Sequence, residues 1–333
     1  MKKILVTGGF GYIGSMFCNL YQDKYDIKVL DKGLFGNYIN TRVTPIVKDI
    51  REVSIKDLEN IEYVIHMAEL SNDPLGELQG EITNEINHLA TVRLLNMCEE
   101  SSVKKFIYMS SCSVYGFNEN IVDENSSVNP LTNYSKSKIL NENFIIKNNF
   151  SFQTTILRNA TVFGYAPNMR LDLVINDISY NAYKTGKIEL ISDGKPIRPF
   201  IHVHDLSRLI EYFLNNESNY QYEIFNAGSN LMNYSIKELA EFLKNYLKTE
   251  EVKYGKYDPD QRSYNVNFNK LNEFLPSFSF KYNLENGVAN LIDNFDKYVE
   301  TLDSKRIKKL KFLLENGEIN KSFYNDLDKL FFL

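Results

Sequence analysis

Thr7-Gly8-Gly9-Phe10-Gly11-Tyr12-Ile13-Gly14-Ser15 follows directly on the apolar run Ile4-Leu5-Val6, so glycines at 8, 11 and 14 sit where a predicted strand turns into a predicted helix. A turn this tight needs residues without Cβ, because backbone N–H groups must approach a pyrophosphate at a helix N-terminus, where the dipole favours negative charge. The next predicted strand ends in Asp31, 17 residues after Gly14. A carboxylate there accepts hydrogen bonds from both ribose hydroxyls of an adenosine and repels a 2′-phosphate, so the pattern predicts NAD rather than NADP.

Working outward, the first half of the chain repeats one rhythm. Short apolar runs bounded by turn residues (Lys3–Thr7, Ile27–Asp31, Pro45–Asp49, Glu62–Ala68, Lys105–Ser111 and Phe152–Arg158) alternate with segments of helical length. That alternation predicts a parallel sheet of βαβ units, an α/β fold. Between the fourth and fifth runs, Ile82, Ile86, Leu89, Val92 and Leu95 recur at helical spacing. After Arg158 the rhythm breaks into loops around 165–168 and 193–196 and helical patterns near 171–185, 204–215 and 235–247, which predicts a second, smaller unit. Near the C-terminus Ile307, Leu310 and Leu314 share one helical face, Asn316-Gly317 offers a stop, and Phe323, Leu327, Leu330 and Phe331 form a second stripe. A helical hairpin packed on the body or on a neighbouring subunit is expected there.

Composition narrows the classes. With 333 residues, 43% of them hydrophobic, the chain can bury one or two cores and is not a disordered one. The formal net charge of −5 and the absence of a long basic tract argue against nucleic acid as the main partner. Cys18, Cys98 and Cys112 have no paired spacing, so neither a disulfide framework nor a zinc site is expected, and a reducing cytoplasm fits. No run of 18 apolar residues exists, so no membrane span is expected. His202 and His204 have no Asp, Glu or Cys at a ligand spacing, and no metal is expected.

The chemistry-bearing residues lie on the fifth run and beyond it. Ser110-Ser111-Cys112-Ser113-Val114-Tyr115-Gly116 ends that strand, and Tyr134-Ser135-Lys136-Ser137-Lys138 follows 23 residues after Ser111. Tyr134 and Lys138 are four apart, which on a helix sets phenol and ammonium on one face. A neighbouring positive charge favours the phenolate, and a phenol so tuned can take or give a proton near neutral pH.

Together these segments resemble the extended short-chain dehydrogenase/reductase family, specifically its nucleotide-sugar epimerases and dehydratases, over about residues 1–300. The resemblance implies a Rossmann doubly wound parallel sheet at 1–165 with a return segment near 198–225, a smaller α+β nucleotide-sugar domain at 166–300, and a helical extension at 301–333. It implies a catalytic set of Ser111, Tyr134 and Lys138. Around NAD it implies Gly8, Phe10, Gly11, Tyr12, Ile13, Gly14, Asp31, Lys32, Asp49, Ile50, Met67 and Ala68, joined by Tyr134 and Lys138. Asn87 would be a buried helix residue near the site. Arg198 to Asp205 is similar to the family's R-x-x-I/V-H-V-x-D segment and Asp260 to Tyr264 to its later arginine segment, so Arg198 and Arg262 are expected at a diphosphate, with Ser111, Ser113 and Thr161 near the sugar. Guanidinium forks pair bidentately with phosphate oxygens. A homodimer through helices 83–101 and 133–148 is expected by the same likeness.

In the family's 4,6-dehydratases an Asp and a Glu follow the catalytic Ser or Thr. Here Cys112 and Ser113 stand there, which disfavours dehydration, and Cys112 is expected to pack beside the strand. Two outcomes remain for a 4-keto sugar: return of the hydride on the other face, which is C4 epimerisation, or release as product, which is C4 oxidation. Glu69 and Thr161 depart from common galactose epimerases and predict a different sugar pocket, and 161–177 resembles a branch with C4 oxidases of nucleotide-activated heptoses. A catalytically dead NAD-binding scaffold is the remaining alternative, and intact Ser111, Tyr134 and Lys138 argue against it.

Overall fold

The computed structural model describes residues 1–333 apart from 40–41, 72–76, 217, 257–261, 297, 299 and 320–333. Seven parallel strands form the large sheet: β1 (Lys3–Thr7), β2 (Asp26–Asp31), β3 (Thr44–Val47), β4 (Tyr63–His66), β5 (Lys105–Ser111), β7 (Gln153–Asn159) and β11 (Tyr222–Ala227). Their spatial order is β11-β7-β5-β4-β1-β2-β3. Side chains along β1 alternate between two cores, Ile4 and Val6 facing one and Leu5 the other, and all three are fully buried. Burial on both faces is why these strands read as continuous apolar runs rather than as alternating ones. The strand order reverses between β2 and β4 on either side of β1, which opens a crevice at the C-terminal ends of β1 and β4.

The expected strands are all present, with ends shifted by a few residues; the fourth stops at His66 and leaves Met67 and Ala68 in a loop. Helix α1 (Tyr12–Tyr21) starts at the glycine loop. The helical segment after β4 is not uniform: α2 (Gly80–Asn84) passes through a π-helical turn at Glu85–Leu89 into α3 (Ala90–Glu99). Helix α4 (Asn133–Asn148) is started by Thr132, whose hydroxyl accepts from the Ser135 N–H, and stopped by Asn149 in a left-handed conformation.

The second unit holds a three-stranded sheet in the order β12 (Asn233–Ser235), β10 (Ile197–His202), β8 (Thr161–Phe163). Two small pairs, β9 (Ile188–Glu189) with β13 (Val252–Lys253) and β6 (Phe117–Val122) with β14 (Ser263–Val266), complete its strands. Helices α5 (Val174–Thr185), α7 (Ile236–Leu247), α8 (Asn269–Phe274) and α9 (Leu284–Phe295) lie among them in the chain. Strand β10 belongs to this small sheet, so the chain returns to the large sheet through α6 (Val203–Asn215), which packs on α1, and then β11. Helix α10 (Arg306–Glu315) lies on the body, its Leu310 and Leu313 buried in the core that holds Leu5 and Leu30. The second stripe of the expected hairpin, Phe323 to Phe331, falls outside the described residues. Among the described residues no helix is long and apolar enough to cross a membrane.

Candidate active site

A cavity of about 590 Å³ runs from the crevice at β1 and β4 to the small sheet. Of the residues expected at the cofactor, all but Phe10 border it, and so do Ser111, Ser113, Thr161, Arg198 and Arg262. The Phe10 ring is buried in the core instead, while its N–H donates to Asp31 Oδ2 at 3.0 Å. Asp260 and Gln261 lie outside the described residues.

At Gly8 and Gly14 the loop leaves no room for a side chain. Gly8 sits at φ +71°, where a Cβ would stand 2.7 Å from the Ala68 nitrogen, and a Cβ on Gly14 would stand 2.5 Å from Gly9 Cα. Such approaches exclude every other residue type from these two positions, where the backbone can come close to a ligand. Asp31 follows at the end of β2; its carboxylate accepts from Gly33 N–H at 2.8 Å as well as from Phe10. Burial pushes this carboxyl up, against the two N–H donors and the nearby Arg306 charge. Lys32 Nζ lies 3.3 Å from Asp49 Oδ2. Asp49 is tied more closely to Arg51, whose guanidinium also reaches Glu85 at 3.1 Å in the π-helical turn. Its carboxyl is held below the usual range: burial opposes this, but the Arg51 hydrogen bonds and charges outweigh it. Beneath the crevice, buried His66 bridges Thr7 at 2.6 Å and Thr91 at 2.7 Å, and burial, with Lys138 adding to it, pushes the imidazole down to about 3, so it is neutral.

At the chemical end, Ser111 terminates β5 and its hydroxyl accepts from Ser113 N–H at 3.1 Å. Ser113 Oγ is buried and has no partner among the described residues. Cys112 turns away: its thiol donates to the Arg158 carbonyl, and burial pushes it up, so it packs beside the strand as expected. Helix α4 carries Tyr134 and Lys138 on one face, with Lys138 Nζ 5.1 Å from the Tyr134 ring centre. Lys138 is 3% exposed and donates to the Met109 carbonyl.

The ammonium lies beside the phenol as the spacing predicts, but Lys138 also pairs with the buried carboxylate of Glu69, which the spacing does not announce. Glu69 further accepts from Tyr108 OH at 3.0 Å. Burial pushes its carboxyl up while Lys138 and Tyr108 pull it down. The sequence marks Glu69 as a departure that predicts a different sugar pocket; the structure sets it against Lys138 and Tyr108. The π-helical turn sets Asn87 against the same loop, where its Oδ1 accepts from Leu70 N–H at 2.8 Å.

Across the cavity, the Arg198 guanidinium lies 5.1 Å from the Tyr264 ring. Sequence reasoning missed Arg170, which pairs with Asp172 at 2.7 Å and donates to Ser71 Oγ at 3.1 Å, and Arg306 from α10. No spacing rule connects those residues to the glycine loop. His202 accepts from His204 N–H at 3.2 Å and stacks on Tyr282 with centroids 3.7 Å apart, so it is a framework residue.

Residues 4–228 match the model of the family described as NAD dependent epimerase/dehydratase. The chain belongs to that family. A relative from Methanocaldococcus jannaschii, named putative UDP-glucose 4-epimerase, is 30% identical over 252 residues, 72% of this chain and 81% of the relative. Among solved structures, MoeE5 with UDP-glucuronic acid and NAD shares the fold at a TM-score of 0.80 and 24% identity, covering 89% of this chain and 100% of MoeE5. UDP-glucuronic acid 4-epimerase from Bacillus cereus, with UDP-glucuronic acid and NAD, is 25% identical at a TM-score of 0.77, covering 89% of this chain and 99% of that one. The member described here is thus an enzyme with the extended short-chain dehydrogenase fold and NAD as its cofactor. Its residues fit that cofactor: a loop closed to side chains at Gly8 and Gly14, a carboxylate at the end of β2, and a neutral imidazole beneath.

Proposed function

We propose that this enzyme is a C4 epimerase of a nucleoside diphosphate sugar, acting through a 4-keto sugar in the cytoplasm. Bound NAD supplies the hydride acceptor and donor. Tyr134 takes the proton of the sugar C4 hydroxyl as the carbonyl forms and returns it after the sugar has turned over. Ser111 hydrogen-bonds the same oxygen, and Lys138 orients Tyr134. Ser113 and Thr161 contact the sugar, and Arg198 and Arg262 take the diphosphate. Residues 1–165, with the chain's return, form the cofactor side and 166–300 the substrate side. A homodimer through the helical faces around α3 and α4 belongs to the same reading.

The observation that carries it is the chemistry next to Ser111. Cys112 faces the Arg158 carbonyl and Ser113 is a hydroxyl, so the two positions after Ser111 offer no carboxylate to drive elimination of water. Glu69, the carboxylate on that side, is held by Lys138 and Tyr108. The 4-epimerase names of two relatives support the same choice.

The test is to release the cofactor by acid before and after incubation with a panel of nucleotide sugars. Bound NAD that is recovered as NAD, with a sugar converted to its C4 epimer, is the expected result. Accumulated NADH with a keto sugar would replace epimerisation by C4 oxidation.

A further inference from the structure

The C-terminal segment 301–318 is the one part of the described chain to which the proposed function gives no task, yet it delivers a cation into the cofactor end of the cavity. Arg306, the first residue of α10, is 2% exposed and borders the cavity beside Asp31 and Phe35. Its guanidinium lies 4.2 Å from the Phe35 ring centre, and one nitrogen donates to Asn168 Oδ1 at 2.8 Å. Asn168 in turn donates to the carbonyls of Phe10 at 2.6 Å and Phe35 at 3.2 Å, so Arg306 is indexed directly to the glycine loop. The other terminal nitrogen, Nη1, is buried with no hydrogen-bond partner, and among the described residues no carboxylate lies within ion-pair distance of this side chain.

A buried cation without a counter-ion is costly, and proteins hold one only where something else completes it. Burial, and then repulsion from Arg170, push Arg306 down to about 9, against the charges of Asp172, Asp303 and Asp31, none of which is within ion-pair distance of it. Arg170 is already paired with Asp172, and Lys32 with Asp49 and the Glu318 carbonyl. The glycine loop offers N–H groups but no positive side chain of its own.

We propose that Arg306 binds the pyrophosphate of the dinucleotide and that segment 301–318 clasps the cofactor in place. The segment is well anchored for this. Leu310 and Leu313 are buried, Asp303 accepts from Tyr38 OH at 2.7 Å and pairs with Lys309 at 3.2 Å, and the Ser304 carbonyl accepts from Leu171 N–H at 3.1 Å. A cofactor held from both sides leaves slowly. The inference rests on the cofactor part of the proposed function and not on the sugar chemistry.

Calorimetric titration of the full-length, nucleotide-stripped protein with adenosine, ADP and NAD separates the two. In the unaltered protein ADP should bind more tightly than adenosine. Arg306→Gln should lower the affinity for ADP and NAD by about 10- to 100-fold, the range for a charge-assisted hydrogen bond or two, and leave adenosine within about 3-fold. Arg306→Lys should restore part of the loss, and NADH should leave Arg306→Gln faster by a similar factor. Equal losses for adenosine and ADP would overturn the proposal and make Arg306 a framework residue. Selective loss of NADP over NAD would overturn it too, by placing the side chain at a 2′-phosphate. Should Arg306→Gln not fold, hydrogen exchange on the unaltered protein decides: ADP but not adenosine should slow exchange at 304–310, and equal protection would refute the clasp. Failure of the protein to bind NAD at all would instead strike the cofactor reading.

Discussion

The two ends of the cavity are built in opposite ways. The nucleotide end is made largely of backbone: Gly8 to Gly14 come from one continuous stretch, and Asp31 from the next strand in sequence. The end that we propose takes the nucleotide sugar is lined by side chains from separate stretches, those of Glu69, Ser111, Tyr134, Thr161, Arg198 and Arg262. A backbone turn leaves no room for a Cβ at Gly8 or Gly14 and needs few partners. A side-chain site depends on who neighbours whom, and a single pairing that spacing does not announce, Glu69 on Lys138, changes its electrostatics.

That contrast can be broken by exchange of function between the ends. Tyr134→Phe should cut turnover by roughly two to four powers of ten while NAD affinity stays within about 3-fold, because a positioned proton-transfer group is lost and little else. Stopped turnover with equally weakened NAD binding, measured by single-turnover kinetics and titration, would make Tyr134 part of the nucleotide end. Gly8→Ala should act the other way, lowering stability by about 2 kcal/mol or more through a strained φ and the 2.7 Å approach to Ala68, with NAD binding lost alongside. A thermal melt unchanged from the parent would contradict the closed-loop geometry.

Smaller effects sharpen the comparison. Asp31→Ala should reduce the preference for NAD over NADP by about 10-fold or more, as expected when a charged hydrogen-bonding group is removed; an unaltered ratio in fluorescence titrations would take Asp31 out of cofactor choice. Glu69→Gln should be the mildest. It leaves Lys138 without its counter-charge, so the phenolate of Tyr134 is favoured, and the limb of the kcat profile that rises with pH should move to lower pH by about one pH unit. A profile that stays in place, or moves upward, would show that the Glu69–Lys138 pair does not reach the phenol.

Reading the sequence alone carries well where physics is local. Glycines 8, 11 and 14 after Ile4-Leu5-Val6, and the four-residue spacing of Tyr134 and Lys138, locate a tight strand-to-helix turn and a helix with two groups on one face, because turn geometry and helical spacing each act over a few residues. It also anticipated that Cys112 would be buried against the strand. It did not reach the π-helical turn at Glu85–Leu89, which the buried contact of Glu85 with Arg51 and the packing of Asn87 on Leu70 accompany across long separations.

The amino-acid order thus determined the parallel sheet, the glycine turn and the Tyr134–Lys138 spacing, since each follows from propensities and periodicities within short windows. Only the tertiary structure decided that Glu69 neutralises Lys138, that Arg170 pairs with Asp172 beside Ser71, and that Arg306 enters the cavity about three hundred residues after the loop it faces. Pairings of buried charges depend on three-dimensional proximity and on exclusion of water, and neither has a signature in linear spacing.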